Sequence, residues 1–357
     1  MNIEPIRQYL GRFRPAHWPQ DLGSAGVVRN IELREDGLHV SLVLPFVQHG
    51  LTAELHALNA ELCALAGTQA VHWQLQTEVA TLAHTNEAPA VAGVRNIIAV
   101  SSGKGGVGKS TTAVNLALAL SRLGARVGIL DADVYGPSIP LMLGVPEARP
   151  ASDDGNTMTP VQAHGIKANS IGFLVSADDA TVWRGPMASK ALSQILRETR
   201  WGELDYLVVD LPPGTGDIQL TIAQQVPTTA AVVVTTPQNV ALADAVKGIN
   251  MFGKVGIPVL GVIENMSYHQ CSQCGHQDRL FGEGGGERLR DEQGVPLLGQ
   301  LPLSATLCRQ MDAGTPVVAA EPDSDMAGLY LALAARLAAA LYFSGKAVPT
   351  TLYTRQV

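Results

Sequence analysis

The pattern of apolar and polar positions changes character along this chain, and the change divides it. Gly26 to Leu33 and Leu38 to Leu44 are rich in β-prone residues and flank the turn-like Glu35-Asp36-Gly37, which predicts two joined strands. Leu51, Leu55, Leu58, Leu62 and Leu65 then recur at helical spacing and predict one helix with one buried face. Cys63 lies beside that stripe, in a packing position. Ala70 to Leu75 completes the set as a further strand, so residues 1–83 read as a small α/β unit. Residues 84–93 carry small and polar side chains, a proline and no period, and read as a linker.

From residue 94 to 357 the pattern is of apolar runs alternating with helical stretches. Asn96–Val100, Arg126–Leu130, Tyr206–Val209, Ala231–Thr235, Val259–Ile263 and Pro296–Leu301 are the predicted strands, and Thr111–Ser121 is a predicted helix. This alternation predicts an α/β domain, one parallel sheet wrapped by helices. Such sheets bind ligands at the carboxyl ends of their strands.

Ser101–Thr112 (SSGKGGVGKSTT) sits at one of those ends. Gly103, Gly108, Lys109 and Ser110 satisfy the phosphate-loop pattern G-x-x-x-x-G-K-[ST]. Its glycines let successive N–H groups point at phosphate oxygens, Lys109 reaches the β/γ-phosphates and the Ser110 hydroxyl holds Mg²⁺. Gly103, Lys104, Gly105, Gly106, Val107, Gly108, Lys109, Ser110 and Thr111 are therefore the expected nucleotide cradle. Two more strands empty into acidic loops, Ile129–Pro140 (ILDADVYGPSIP) and Leu207–Asp217 (LVVDLPPGTGD). Asp210 is placed as a Walker B carboxylate for Mg²⁺. Gly214 and Gly216 give its loop freedom to approach a γ-phosphate and move once it leaves. A single strand-end aspartate is as readily a helix cap, but three strand ends converging on one loop argue for a site.

Composition narrows the partners. The 357 residues are 46% hydrophobic and 16% charged, enough for about two domains with substantial cores. A net charge of -7 with no basic cluster argues against nucleic acid. Met1–Leu10 lacks the layout of a signal peptide, so a cytosolic protein is expected. Met326–Phe343 is long enough to span a bilayer, but it is Ala-rich and carries Arg336 near its centre. A C-terminal helix packed on the main domain is the expectation, and no membrane association.

Lys104 adds a further constraint. A loop reading GKGGVGKS resembles the deviant Walker A ATPases, which include MinD, the ParA partition proteins, the arsenite-pump ATPase and the nitrogenase iron protein. The resemblance implies a sandwich homodimer in which Lys104 reaches the partner's nucleotide. It also makes Asp133 the candidate for orienting the attacking water, so that Lys104, Lys109, Asp133 and Asp210 form the expected catalytic set.

Of four cysteines only Cys271 and Cys274 cluster, as C-x-x-C within Asn265–Gly286. Two thiolates are half of a four-ligand set. Zinc within one chain would have to recruit His269 and His276, crowding all ligands into eight residues. Two C-x-x-C pairs meeting on a dimer axis make Cys₄ instead, which suits a [4Fe–4S] cluster, or zinc if iron is absent. A catalytic dithiol lacks its usual helix-opening setting. Cys308, near Leu307 and Met311, reads as a core residue.

The order of GKGGVGKST, DADVYGPSIP, WRGPMASKAL (183–192), DLPPGTGDIQL, TTPQ, ENMS with the C-x-x-C, and FGEGGGE resembles the Mrp/ApbC family of iron–sulfur cluster carriers over essentially the whole chain. That resemblance implies an ATPase homodimer with Mg²⁺, a [4Fe–4S] cluster bridged by Cys271 and Cys274 of each copy, and apo iron–sulfur proteins and cluster scaffolds as partners. It also implies that Asn265 reads the adenine. The small N-terminal unit is similar to the iron–sulfur-assembly domain fused to bacterial members, but Pro45–Gly50 lacks the cysteine often found there, so partner docking is its expected role. Ser272 and Gln273 stand between the cysteines where a proline is common. A MinD/ParA-like positioning ATPase and an ATP-driven electron donor are the alternatives.

Overall fold

The computed structural model describes residues 3–174, 185–271 and 273–348. Positions 183 and 184 of the WRGPMASKAL motif, and Ser272, lie outside them. The first unit holds α1 (Glu4–Arg12), β1 (Val28–Arg34), β2 (Gly37–Leu44), α2 (Leu51–His56), α3 (Asn59–Ala66) and β3 (Val71–Thr77). β1 pairs antiparallel with β2, and β2 parallel with β3. The predicted single helix is broken. Leu58 N–H bonds Leu55 O, an i→i−3 bond that tightens the chain between α2 and α3. The second segment is thereby rotated, leaving Leu65 37% exposed and burying Ala66 in its stead.

The remainder comprises β4 (Val94–Ser101), α4 (Lys109–Arg122), β5 (Val127–Asp131), α5 (Ile139–Met142), β6 (Val161–Ala163), β7 (Ile166–Ser170), α6 (Gly185–Glu198), β8 (Leu204–Asp210), α7 (Asp217–Gln225), β9 (Ala230–Thr235), α8 (Asn239–Lys254) and β10 (Val259–Glu264). Then follow β11 (His269–Gln270), β12 (Gln277–Asp278), α9 (Gly285–Gln293), β13 (Leu297–Gln300), α10 (Ala305–Asp312), α11 (Val317–Ala320) and α12 (Asp325–Ser344). Eight strands form one sheet in the order β13-β10-β9-β4-β8-β5-β7-β6. It is parallel except at one edge, where β6 returns antiparallel on β7. That hairpin escaped the apolar-run reading because its strands are short and carry Gln162 and Lys167.

The central strands β8 and β9 are buried at every position, as continuous Val/Leu/Ala runs require when helices cover both faces. α4 is buried from Thr112 to Leu120 and packs against α12. The latter is long and apolar enough to cross a membrane by composition, yet half of that window is buried inside the fold. Arg336 Nη1 donates to Leu298 O at 2.9 Å, directing the guanidinium at a β13 carbonyl. The expected packed helix is what the structure has. Its far end also meets the N-terminal unit: the Phe46 ring lies tilted against Tyr342 at 5.2 Å and edge-to-face with Phe343 at 5.4 Å, while Trp18 lies 5.5 Å from Phe343. The stretch after β3 is likewise fastened, with Asn86 Nδ2 donating to Val226 O at 2.6 Å.

Candidate nucleotide and cluster site

β4 ends in the buried Ser101 and the chain wraps through Gly103–Gly108 before α4 begins. Gly106 and Gly108 both have φ of +82°, the left-handed backbone that turns consecutive N–H groups inward. Close approach also selects glycine. A Cβ at Gly103 would lie 2.2 Å from the Asp244 carbonyl carbon, and one at Gly108 would lie 2.2 Å from Asn265 Nδ2. At Gly105 and Gly106 nothing approaches within 4 Å, so the mouth of the cradle is open.

Lys109, Ser110, Asp133 and Asp210 are brought together at the strand ends. Lys109 Nζ is 2.6 Å from Asp210 Oδ1 and 3.8 Å from Asp133 Oδ2, and the Ser110 hydroxyl donates to Asp210 Oδ2 at 2.5 Å. Burial pushes both carboxyls above the ordinary range, with Lys109 opposing the shift at each. Gly214 donates its N–H to Ser102 O at 2.9 Å, tying the loop after Asp210 to the phosphate loop. Lys104 is only half-buried; its carbonyl accepts from the Ser102 hydroxyl, and it makes no ion pair with the described residues.

Asp131 has a part that sequence reasoning missed. It stands in register with Asp210 and accepts from Ser170 Oγ, Ile139 N and Asp133 N. Burial, with the Asp210 charge adding to it, pushes its carboxyl up to about 7. An unfolded aspartate titrates near ~3.9. Between these values the folded chain holds a proton that the unfolded chain has released, so stability falls as pH rises through that window. Urea denaturation of nucleotide-free protein from about pH 4 to about pH 7 is expected to show this decline, and Asp131→Asn to flatten it.

The C-x-x-C lies beyond β10. Glu264, fully buried, accepts from Ser267 Oγ at 2.6 Å, Gly286 N at 2.6 Å and Gln300 Nε2 at 2.9 Å. This carboxylate and Leu297 account for the last two glycines of FGEGGGE. A Cβ at Gly285 would meet Glu264 Oε2 at 2.9 Å, and one at Gly286 would meet Leu297 Cδ1 at 2.6 Å. The next residue, Asn265, donates from Nδ2 to Val107 O in the phosphate loop at 2.9 Å.

The cysteines cap the small β11–β12 hairpin. Cys271 N–H bonds His276 O, and Gly275 N–H bonds back to Cys271 O with Gly275 at φ +72°. The backbone N–H of Cys274, and then that of Gln273, lowers the Cys271 thiol, favouring the thiolate that ligates metal. Cys274 is exposed and Cys271 half-buried. His269 and His276 do not assemble with them into a metal-binding group among the described residues, and His276 Nε2 instead faces Asp278 Oδ1 at 3.1 Å. Cys308 is exposed, not core: Leu307 and Met311 take the buried face of α10, and Cys308, one residue on from Leu307, is turned away from it.

A parallel sheet with this glycine loop and paired strand-end aspartates defines a P-loop NTPase. A cell-division ATPase MinD from Pyrococcus furiosus shares the fold, with a TM-score of 0.53 at 24% identity over 68% of this chain and 98% of that one. A nucleotide-binding protein from Archaeoglobus fulgidus, solved in complex with ADP, matches with a TM-score of 0.58 at 38% identity over 67% of this chain and 93% of that one. Residues 93–338 match the ParA family described as NUBPL iron-transfer P-loop NTPase. The iron–sulfur cluster carrier protein of Escherichia coli K12 is 54% identical over 98% of this chain and 95% of its own length. The chain belongs to this family of P-loop iron–sulfur cluster carriers.

Proposed function

We propose that the protein is a homodimeric ATPase that carries a [4Fe–4S] cluster between two copies, on Cys271 and Cys274 of each, and transfers it to apo-proteins. The observation that carries this reading is the adjacency of Glu264 and Asn265. One side chain fixes the segment leading to the cysteines and the next holds the phosphate loop, so both sites hang from the end of one strand. The names of the relatives and the ADP bound by the Archaeoglobus protein support the same assignment.

The donor set at the phosphate loop suits Mg²⁺, which takes few, hard oxygen ligands. Ser110 Oγ and the Asp210 carboxylate already converge within hydrogen-bonding distance. Bound there, Mg²⁺ neutralises charge on the β- and γ-phosphates. Lys109 exchanges its Asp210 partner for the phosphates, and Asp133, beside it, orients the attacking water. Asn265 steadies the phosphate loop and reads the adenine. Lys104 supplies a positive charge to the partner's nucleotide, which is why hydrolysis requires the dimer.

ATP closure of that dimer changes the spacing of the two C-x-x-C hairpins and hence the grip on the cluster. Transfer from loaded protein to apo-aconitase, followed by regained aconitase activity, is expected to differ in rate between ATP, a non-hydrolysable analogue and no nucleotide. Three equal rates would refute the coupling.

A further inference from the structure

The geometry points to a second metal site in the N-terminal unit, formed by Asp36, His39 and His72 and suited to a divalent first-row transition ion such as Zn²⁺. The inference does not depend on the cluster reading. β2 and β3 run parallel with His39 directly opposite His72, and the two rings stack with centroids 4.6 Å apart and planes 27° from parallel. Both present Nε2 to one carboxylate: His39 Nε2 is 2.9 Å from Asp36 Oδ1, and His72 Nε2 is 3.8 Å from Asp36 Oδ2. One ligand atom from each of the three residues falls within 4.8 Å of the others. Zinc bonds of about 2.0–2.2 Å place tetrahedral ligands roughly 3.3–3.6 Å apart, so small side-chain adjustments seat an ion.

The placement is built into the backbone. Asp36 sits in the β1–β2 turn, immediately before Gly37 at φ +142°. A Cβ at Gly37 would lie 2.6 Å from Ala70 O, and Leu38 N–H bonds that same carbonyl at 2.9 Å. The turn bearing Asp36 is therefore pressed against the chain that leads into β3 and His72. Without an ion His72 Nε2–H donates to the Asp36 carbonyl at 3.1 Å, which ties the turn to β3; metal binding would displace that proton. Two imidazoles and a carboxylate favour zinc, iron(II), cobalt or nickel over calcium or magnesium. Side-chain exposures of 24% for His39, 46% for His72 and 62% for Asp36 leave the remaining coordination positions to water. Glu32, opposite His39 on β1, is held by Asn30 and ion-paired with Arg34 at 2.7 Å, so it does not add to the ligand set.

The test uses tag-free, full-length Cys271→Ser/Cys274→Ser protein, so that zinc cannot occupy the C-x-x-C. Calorimetric titration with Zn²⁺ should give one ion per chain, and Co²⁺ should produce a visible absorption band from the same site. His39→Ala and His72→Ala should each weaken Zn²⁺ binding at least about tenfold, given that losing even an outer-shell partner costs a metal site about 10–100-fold. Asp36→Asn, which keeps the turn's shape, should also weaken it. Circular dichroism checks that each variant is folded. The assignment is overturned if no stoichiometric ion binds, or if binding is unchanged by both histidine substitutions. In that case the three side chains are only a hydrogen-bonded cluster.

Discussion

Anaerobically reconstituted Cys271→Ala protein is expected to hold no cluster, whereas the native chain should hold about half a [4Fe–4S] cluster per chain, four thiolates being needed for each. The expectation follows from ligand counting. Each copy offers two clustered thiols, and the other two cysteines are on α3 and α10, outside the C-x-x-C. Removing one thiol per copy leaves two across the dimer, too few to retain a cubane. The hairpin itself should survive, because the backbone bonds that close it at Cys271, N–H to His276 O and carbonyl from Gly275 N–H, do not need the thiol. Iron and sulfide analysis with the absorbance spectrum reads the result. His276→Ala is the companion variant: its imidazole faces Asp278, so the cluster should remain. Cluster retention by Cys271→Ala, or a full cluster on each native chain, would sink the bridged arrangement.

Lys104→Ala is expected to lower the ATP hydrolysis rate about 10³-fold or more while changing nucleotide affinity little, the scale set by charges supplied to phosphoryl transfer from a partner. Among the described residues Lys104 pairs with no carboxylate, and its backbone carbonyl accepts from the Ser102 hydroxyl. Lys109→Ala should differ in kind. Its ammonium lies 2.6 Å from Asp210 in the cradle, so both affinity and turnover should fall, with cluster assembly spared. Steady-state phosphate release and equilibrium binding of a fluorescent nucleotide separate the two outcomes. A dimer of one Lys104→Ala copy with one Asp210→Asn copy should regain part of the activity if the lysine acts in trans. Wild-type turnover by Lys104→Ala alone would refute that role.

Much of this site can be read in the sequence because its parts are local. The phosphate loop is contiguous, and the strands before Asp131 and Asp210 are apolar runs whose ends announce themselves. What could not be read depends on distant partners. Asp131 is visible as a strand-end acid, but its raised carboxyl arises from burial and then from Asp210 beside it, neither of which is encoded nearby. Glu264 gave a fainter signal, a glycine run twenty residues on that has meaning only once the carboxylate is seen packed against it. The α2–α3 break was hidden because a leucine stripe fixes a face but not the backbone hydrogen bonds that interrupt it. Cys308 failed for the simplest reason. One residue along a helix turns a side chain by about 100°, enough to move it from interior to solvent.

The aromatic contact of Trp18 and Phe46 with Tyr342 and Phe343 bears on how the protein presents itself to others. α12 lies along α4, the helix that opens at Lys109, and its last turn ends among those rings. The chain continues to Ala347, which bridges Leu82 at the exit from the N-terminal unit. That unit is thus held both by the rod resting on the phosphate-loop helix and by the chain just beyond it. Whatever surface it offers has a fixed bearing relative to the bound nucleotide, and a twofold pair of such chains would hold the two small units in a constant orientation, like jaws on a common frame.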